Sequence, residues 1–265
     1  MAIMVNIAKG YEIHELSFSY GSQTCLQTIS LQLEAGFFYG LIGPNGSGKS
    51  TLLDVLSGFA PPSSGSVQFN GAPIKSYSRR ELSLLLSTVP QSFSLNFDYS
   101  VEDVVLMGRN PHIERFSSPS ALDFELVNSA LKSMDVYDLR QRSVKNLSGG
   151  EKQRVMIARS LAQDASFILL DEVTASLDIN HAISIMKTMS SLVKNKGRTI
   201  IAALHDLNMA MGFCDRVIVL NNGRLERYGA VSEVISEDMI RDLYQVQSHI
   251  FRTESGNNHI QFNYR

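Results

Sequence analysis

Eight consecutive residues, Gly43-Pro44-Asn45-Gly46-Ser47-Gly48-Lys49-Ser50, fit the spacing G-x-x-x-x-G-K-[ST] of a phosphate-binding loop. Glycines here let successive backbone N–H groups converge on an anion with no Cβ in the way. A helix starting at the same point adds about half a positive charge. Lys49 is then placed to reach the β- and γ-phosphates of a nucleotide, and the Ser50 hydroxyl to bind Mg²⁺. Two acids, Asp171 and Glu172, close the apolar run Phe167-Ile168-Leu169-Leu170. At a strand end beside the loop, on what the pattern takes as the neighbouring strand, Asp171 can hold Mg²⁺ and Glu172 can polarise an attacking water. Leu147-Ser148-Gly149-Gly150-Glu151 precedes a helical run from Lys152 to Leu161. A hydroxyl and glycine N–H groups at a helix N-terminus make a second anion site in form; the alternative is an ordinary N-cap by Ser148.

These groups need a scaffold, and the flanking pattern supplies one. Phe37 to Ile42 reads as a buried strand leading into the phosphate loop, and Thr51 to Ser57 as the helix leaving it. Tyr11–Tyr20, Ile29–Leu33 and Val67–Phe69 read as strands, Ser78–Ser87 as a short helix and Thr88–Gln91 as a brief strand. From Phe93 the pattern is mostly helical, with Val101–Met107 and a run opened by Pro119-Ser120 that continues through Leu131. The core resumes with a strand at Phe167–Leu170, a helix at Ala182–Lys194, a strand at Thr199–Leu204 and a helix at Leu207–Phe213. Arg216–Leu220 and Arg224–Tyr228 flank Asn221-Asn222-Gly223, a hairpin signal. Ser232–Tyr244 reads as helix, and the pattern weakens from Gln245. Strands alternating with helices around a phosphate loop predict an α/β fold. The chain is read as one domain, 1–265, with 1–92 and 161–265 forming the core and 93–160 an inserted helical subdomain.

The composition bounds the partners. At 44% apolar and 19% charged, 265 residues can bury a core. A net charge of −2 offers no broad phosphate-coating surface, so nucleic acid is not an expected partner. Cys25 and Cys214 form no C-x-x-C pair and suggest a reducing compartment. There is no signal-peptide core at Met1–Gly10 and no apolar run of membrane-spanning length. A soluble cytosolic protein is expected, with any membrane role exerted through a partner.

With the Leu-Ser-Gly-Gly-Glu motif in place, the chain resembles the ABC-type ATPases over about residues 11 to 245, with the motifs in the family order. The resemblance implies a P-loop ATPase with a RecA-like core, an N-terminal antiparallel β subdomain and the inserted helical subdomain. It implies that Tyr20, with Phe18 as the competing aromatic, stacks on adenine. Gln91 would sense the γ-phosphate, touch Mg²⁺ and lead to the membrane partner. Ala175-Ser176-Leu177-Asp178 would communicate across a dimer, and His205 would be the switch residue near the γ-phosphate. The implied catalytic set is Glu172, His205, Gln91 and Lys49. ATP would be held by Tyr20, by Gly43, Pro44, Asn45, Gly46, Ser47, Gly48, Lys49, Ser50 and Thr51, and by Ser148, Gly149, Gly150 and Asp178 of a second subunit. Mg²⁺ would be held by Ser50, Gln91 and Asp171. Two departures stand out: Val173 where the family usually has Pro, and Ala175-Ser176 where it usually has Ser-Ala.

The family pairs two such subunits head to tail, as a homodimer with ATP at the interface. Without a membrane span, the subunit would dock peripherally on separate permease subunits at the cytoplasmic side of the inner membrane, and indirectly serve a solute-binding protein. The stretch Tyr99–His112, with Gly108-Arg109-Asn110-Pro111-His112 above all, is similar to the ATPases of metal-chelate importers. The implied cargo is an iron chelate or haem, with cobalamin or molybdate/tungstate behind. Two other readings remain open at this point: a soluble ABC-type ATPase acting on DNA or the ribosome, and a regulatory module that holds nucleotide without hydrolysing it.

Overall fold

The structure, a computed structural model, describes residues 9–91, 98–253, 256 and 258–263. In chain order its strands and α-helices are β1 (Gly10–Tyr20), β2 (Gln23–Glu34), β3 (Phe38–Ile42), α1 (Lys49–Leu56), β4 (Ser64–Phe69), β5 (Ala72–Pro73), α2 (Arg79–Leu85), β6 (Leu86–Val89), α3 (Val101–Leu106), α4 (Ala121–Ser133), α5 (Gly149–Ala162), β7 (Phe167–Asp171), α6 (Ile179–Lys196), β8 (Thr199–Ala203), α7 (Leu207–Phe213), β9 (Arg216–Asn221), β10 (Arg224–Ala230), α8 (Val231–Val234), α9 (Glu237–Tyr244), β11 (Ser248–Arg252) and β12 (Asn258–Phe262).

A six-stranded sheet in the order β10-β9-β3-β8-β7-β6 carries the site. Strands β9, β3, β8, β7 and β6 run parallel, and β10 pairs antiparallel at one edge. Strands of a parallel sheet covered on both faces are apolar along their length, and β3 and β8 are buried at every position. Alternation then sorts the side chains. Tyr39, Leu41, Phe167 and Leu169 face one core, with Tyr11, Phe69 and α1. Phe38, Ile42, Ile168 and Leu170 face the other, with α3 to α7. A separate antiparallel sheet, β2-β1-β4-β5, closes the first core. The Tyr11 hydroxyl donates to the Leu56 carbonyl at 2.8 Å, tying this sheet to the C-terminal end of α1.

The sheet order corrects one expectation. The strand bearing Asp171 is not next to the strand that feeds the phosphate loop, because β8 lies between them. All three nevertheless end level: Leu41 pairs with Ala203, and Ala203 with Asp171. The loops at their C-terminal ends therefore open at one edge, where ligands of open α/β sheets bind.

Local differences have local causes. The Ser78–Ser87 helix stops at Leu85, because Leu86 turns extended to pair with Phe167. The expected helix Ser232–Tyr244 is two helices, α8 and α9, interrupted at Ile235 so that Ser236 can cap the second, its hydroxyl accepting from the Met239 N–H. The weakly patterned end forms the hairpin β11–β12. The run Gly108–His112 is held by the helices around it. Arg109 is buried, its Nε pairing with Asp123 Oδ1 at 2.8 Å and its Nη1 donating to the Ala162 carbonyl at 2.7 Å, while His112 Nε2 lies 2.8 Å from the Gln163 carbonyl. Asp123 is held down at about 2, first by the Ser120 hydroxyl and then by Arg109.

Candidate functional site

The site begins where β3 ends. The backbone leaves the sheet at Gly43 and reaches α1 through Gly46 and Gly48, both at positive φ, with Gly48 (φ 102°) as the helix N-cap. At φ 102° an L side chain is strained, and a Cβ there would also crowd the Cys25 carbonyl at 3.0 Å and Leu26 Cδ2 at 2.8 Å, so glycine is favoured. No side chain caps α1, and no acid lies in its first turn. Its first N–H groups are therefore left to an anion. The Ser47 hydroxyl is buried with no hydrogen-bond partner among the described residues, and nothing within 4 Å would meet a Cβ on Gly46. An orphaned donor, open space and a bare helix end in one loop fit a phosphate chain.

Lys49 is buried and folds back over the loop, its Nζ donating to the carbonyls of Gly43 (2.9 Å) and Pro44 (3.2 Å). Burial lowers the ammonium's pKa, opposed by Glu172 and Asp171. Ser50 Oγ donates to Asp171 Oδ1 at 3.0 Å. Burial raises the Asp171 pKa, and the Ser50 bond opposes the shift.

Glu172 is the convergence point. It sits at φ 50°, a left-handed conformation that a non-glycine residue adopts only when its surroundings hold it there. Its Oε1 lies 2.5 Å from His205 Nε2 and 4.0 Å from Lys49 Nζ, and its Oε2 accepts from Gln91 Nε2 at 2.7 Å. Residues from the ends of β3, β6, β7 and β8 thus meet on one carboxylate. Ser50, Asp171 and the Gln91 amide offer hard oxygen donors of the kind Mg²⁺ takes. Among the described residues there is no cluster of three or more His, Cys, Asp or Glu that could hold a metal. An ion here would have to complete its shell with phosphate oxygens and water.

A cavity of about 700 Å³ contains Asn45, Gly46, Gly48, Lys49, Ser50 and Thr51 together with Gln91, Glu172 and His205. Part of its wall was not foreseen from the sequence: Gln23, Thr24, Cys25 and Gln27 of β2, and the turn Asn222-Gly223. The turn is locked in place by Gly223 N–H donating to the Ser47 carbonyl (3.0 Å) and Gln27 N–H donating to the Gly223 carbonyl (2.7 Å). The Asn-Gly pair was legible as a hairpin; its docking on the loop joins Gly223 to Ser47, distant in sequence, and left no local signal.

Other expected residues lie around this cavity or away from it. Phe18 is buried at 7% exposure, whereas Tyr20 is 54% exposed, its hydroxyl 3.4 Å from Asp54 Oδ2 on α1. Of the two aromatics, Tyr20 alone presents its ring to solvent. Ser148, Gly149, Gly150 and Asp178 do not line the cavity. Ser148 caps α5 in a reciprocal box with Glu151, its Oγ donating to Glu151 Oε2 at 2.7 Å and accepting the Glu151 N–H at 3.3 Å. Asp178 caps α6 through the His181 N–H, which holds its carboxyl below the usual range. Gly150 and the Ala175–Asp178 loop lie together: a Cβ on Gly150 would sit 3.4 Å from Leu177 and 3.6 Å from the Ser176 carbonyl. Val173 is buried, and the turn after it closes through Ala175 N–H donating to the Glu172 carbonyl, so the departures from the family pattern are accommodated.

The profile of the ABC transporter family matches residues 26–175. A hemin import ATP-binding protein of Thermobifida fusca is 40% identical over 235 residues, covering 89% of this chain and 82% of that protein. A cobalamin import ATP-binding protein of Halobacterium salinarum is 39% identical over 222 residues, covering 84% of this chain; the match spans only 55% of that longer protein. Among solved structures, an inward-facing putative metal-chelate type ABC transporter superposes with a TM-score of 0.82 at 28% identity, covering 97% of this chain and 98% of that one. With the phosphate loop, the carboxylate pair and the capped glycine turn all in place on this fold, the chain belongs to the ABC transporter family, among its ATP-binding proteins.

Proposed function

We propose that this chain is the ATP-hydrolysing subunit of an importer for a metal chelate, with haem or an iron chelate as the cargo class. The observation that carries hydrolysis is Glu172, held by His205 and Gln91 and facing Lys49 at the mouth of the phosphate loop. The chemistry follows from the positions. The loop N–H groups and Lys49 grip the phosphates, Glu172 orients or deprotonates water, and His205 keeps water and γ-phosphate in line. Ser50, Asp171 and Gln91 would hold a Mg²⁺ ion, which would supply charge neutralisation of the phosphates when bound. Positioning and electrostatics account for most of the rate gain. Tyr20, exposed and with its hydroxyl on Asp54, one turn of α1 beyond Thr51, is the adenine platform.

One chain leaves the far side of the phosphate open. We assign that side to Ser148, Gly149 and Gly150 of a second copy, with Asp178 beside them, giving a head-to-tail pair with two equivalent sites. A Cβ on Gly149 would meet no atom of its own chain within 4 Å, so the glycine is not required by its own fold. Among the described residues no helix is long and apolar enough to cross a membrane. As an importer subunit of this kind, the chain would dock on permease subunits, peripheral on their cytoplasmic face. We place their contact at a groove of about 510 Å³ between Phe59, α2, β6 and α5, where Phe59 is 82% exposed and Leu82 and Met156 also line the wall. The residues that follow Gln91, the residue expected to lead to the membrane partner, fall outside the described residues at 92–97. The cargo class rests on the hemin and metal-chelate relatives.

Glu172→Gln tests the core of this reading. Steady-state phosphate release should fall about 10²–10⁴-fold, while ATP still draws two copies together, as light scattering would report. Near-normal turnover by that variant would sink the assignment.

A further inference from the structure

The C-terminal hairpin has no part in the chemistry above, yet it is bonded to the helix that follows His205. Helix α7 has seven residues and begins two residues after His205, so it cannot hold its place by its own hydrogen bonds. Asp206 caps it, Oδ1 accepting from the N–H groups of Asn208 and Met209. The Asn208 carboxamide then makes two bonds to one residue of β12: Oδ1 accepts the Ile260 N–H at 2.7 Å, and Nδ2 donates to the Ile260 carbonyl at 3.1 Å. In an antiparallel strand both backbone groups of a residue point the same way. Those of Ile260 point at α7 rather than at its register partner Ile250. Asn208 therefore pairs with the outer edge of the hairpin as a strand would.

A two-stranded hairpin is marginal by itself, and this one is held from two sides. Ile260 is buried in the core that α7 shares, with Ile250 and Phe262 packed against it. Glu237, at the start of α9, accepts the Ile250 N–H at 2.7 Å and lies 2.9 Å from His249 Nδ1. The hairpin is thus tied on one side to α9 and on the other to the helix that begins two residues after His205.

We propose that Asn208 is a positioning residue: by hanging α7 on the C-terminal hairpin, it sets the reach of His205 to Glu172, and the hairpin thereby governs turnover. This rests on reading His205 as the residue that holds water and γ-phosphate in line. Loss of the clamp lets α7 and His205 drift, slowing the hydrolytic step while leaving the loop that binds ATP untouched. A purely structural Asn208 would lower thermal stability and leave turnover per folded molecule alone.

The test is steady-state hydrolysis of Mg-ATP by the full chain and its variants. Asn208→Ala should lower kcat about fivefold, with KM for ATP within about twofold, the size expected for two lost neutral hydrogen bonds acting only on positioning. Removing residues 248–265 should lower kcat to a similar extent, and adding Asn208→Ala to that truncation should cost nothing more. Hydrogen exchange of the intact Asn208→Ala chain gives a second reading that does not depend on the truncation folding: amides of 205–210 and 258–262 should exchange faster, those of β3 and β7 should not. Wild-type kcat in Asn208→Ala, a change confined to KM, additive losses, or unaltered exchange at 205–210 would each overturn the proposal. His205→Ala separates the two levels. If it abolishes turnover while Asn208→Ala does not alter it, the hairpin link alone fails; if His205→Ala turns over normally, the reading of His205 fails first.

Discussion

Two glycine turns each open a helix, and they are built in opposite ways. At α1 the N-cap is Gly48, no side chain caps the first turn, and Ser47 Oγ has no partner among the described residues. At α5 the cap is Ser148, closed by Glu151 in a reciprocal box, with an acid already in the first turn. A Cβ on Gly48 would strike Leu26, whereas one on Gly149 would meet nothing within 4 Å. The first turn needs its glycine to fold and leaves its donors for a ligand. The second is satisfied within its own chain, and its glycine faces outward. A helix end whose own residues are content without it marks a surface shaped by what approaches from outside; a helix end with orphaned donors marks a site complete on its near side.

That contrast can be broken or sharpened by substitution. Gly149→Ala should leave stability unchanged or raise it by up to about 1 kcal/mol, since alanine is the better helix former, yet lower hydrolysis about 10²-fold by fouling the donors offered to the partner's phosphate. Gly48→Ala should instead cost about 1–3 kcal/mol of stability through its left-handed backbone. Thermal melts beside phosphate-release assays separate the two; an unstable, active Gly149→Ala would reverse the comparison. Next in size, Lys49→Ala should weaken ATP binding about 10- to 100-fold, the worth of a hydrogen bond to a charged group, with the fold intact. Isothermal titration showing unchanged affinity would remove Lys49 from the site.

The smallest effect comes from a third helix end that serves as a control. Ser120 and Asp123 form the same kind of box at α4, but there the carboxylate also pairs with buried Arg109 and has no role toward ligand. Its folded pKa of about 2 lies below the unfolded value of about 3.9. The pair's stabilisation is therefore fully present above pH of about 4 and is lost as pH falls through about 2. Asp123→Asn should cost about 2 kcal/mol at neutral pH, with the gap to wild type closing between those two values in acid unfolding curves. ATP affinity should not move.

How much of this was readable beforehand depends on sequence distance. The phosphate loop, Asp171-Glu172 and the Ser148 turn were legible because each is a run of a few residues whose function needs adjacency. So was the α/β alternation, down to the hairpin at Asn222-Gly223. The break between α8 and α9 was missed although Ser236 with Glu237 and Asp238 is a readable cap, because the apolar spacing runs through it. The hairpin β11–β12 was missed because its inward residues Ile250, Ile260 and Phe262 are too few to set a period, and it is fixed by Glu237 on the preceding helix and by Asn208 far away in the chain.

The sequence alone determined which chemical groups the molecule owns: a lysine and hydroxyl on a glycine loop, paired acids, a histidine after an apolar strand, a capped glycine turn. Only the tertiary structure decided which of them meet. Strand order put β8 between the loop and the acids, brought Glu172 to His205, Gln91 and Lys49, walled the cavity with Gln27 and Gly223, and left Ser148 pointing elsewhere. Backbone preferences act over a few residues and can be read there; pairing and packing act through space, and the chain distance between partners carries no trace of them.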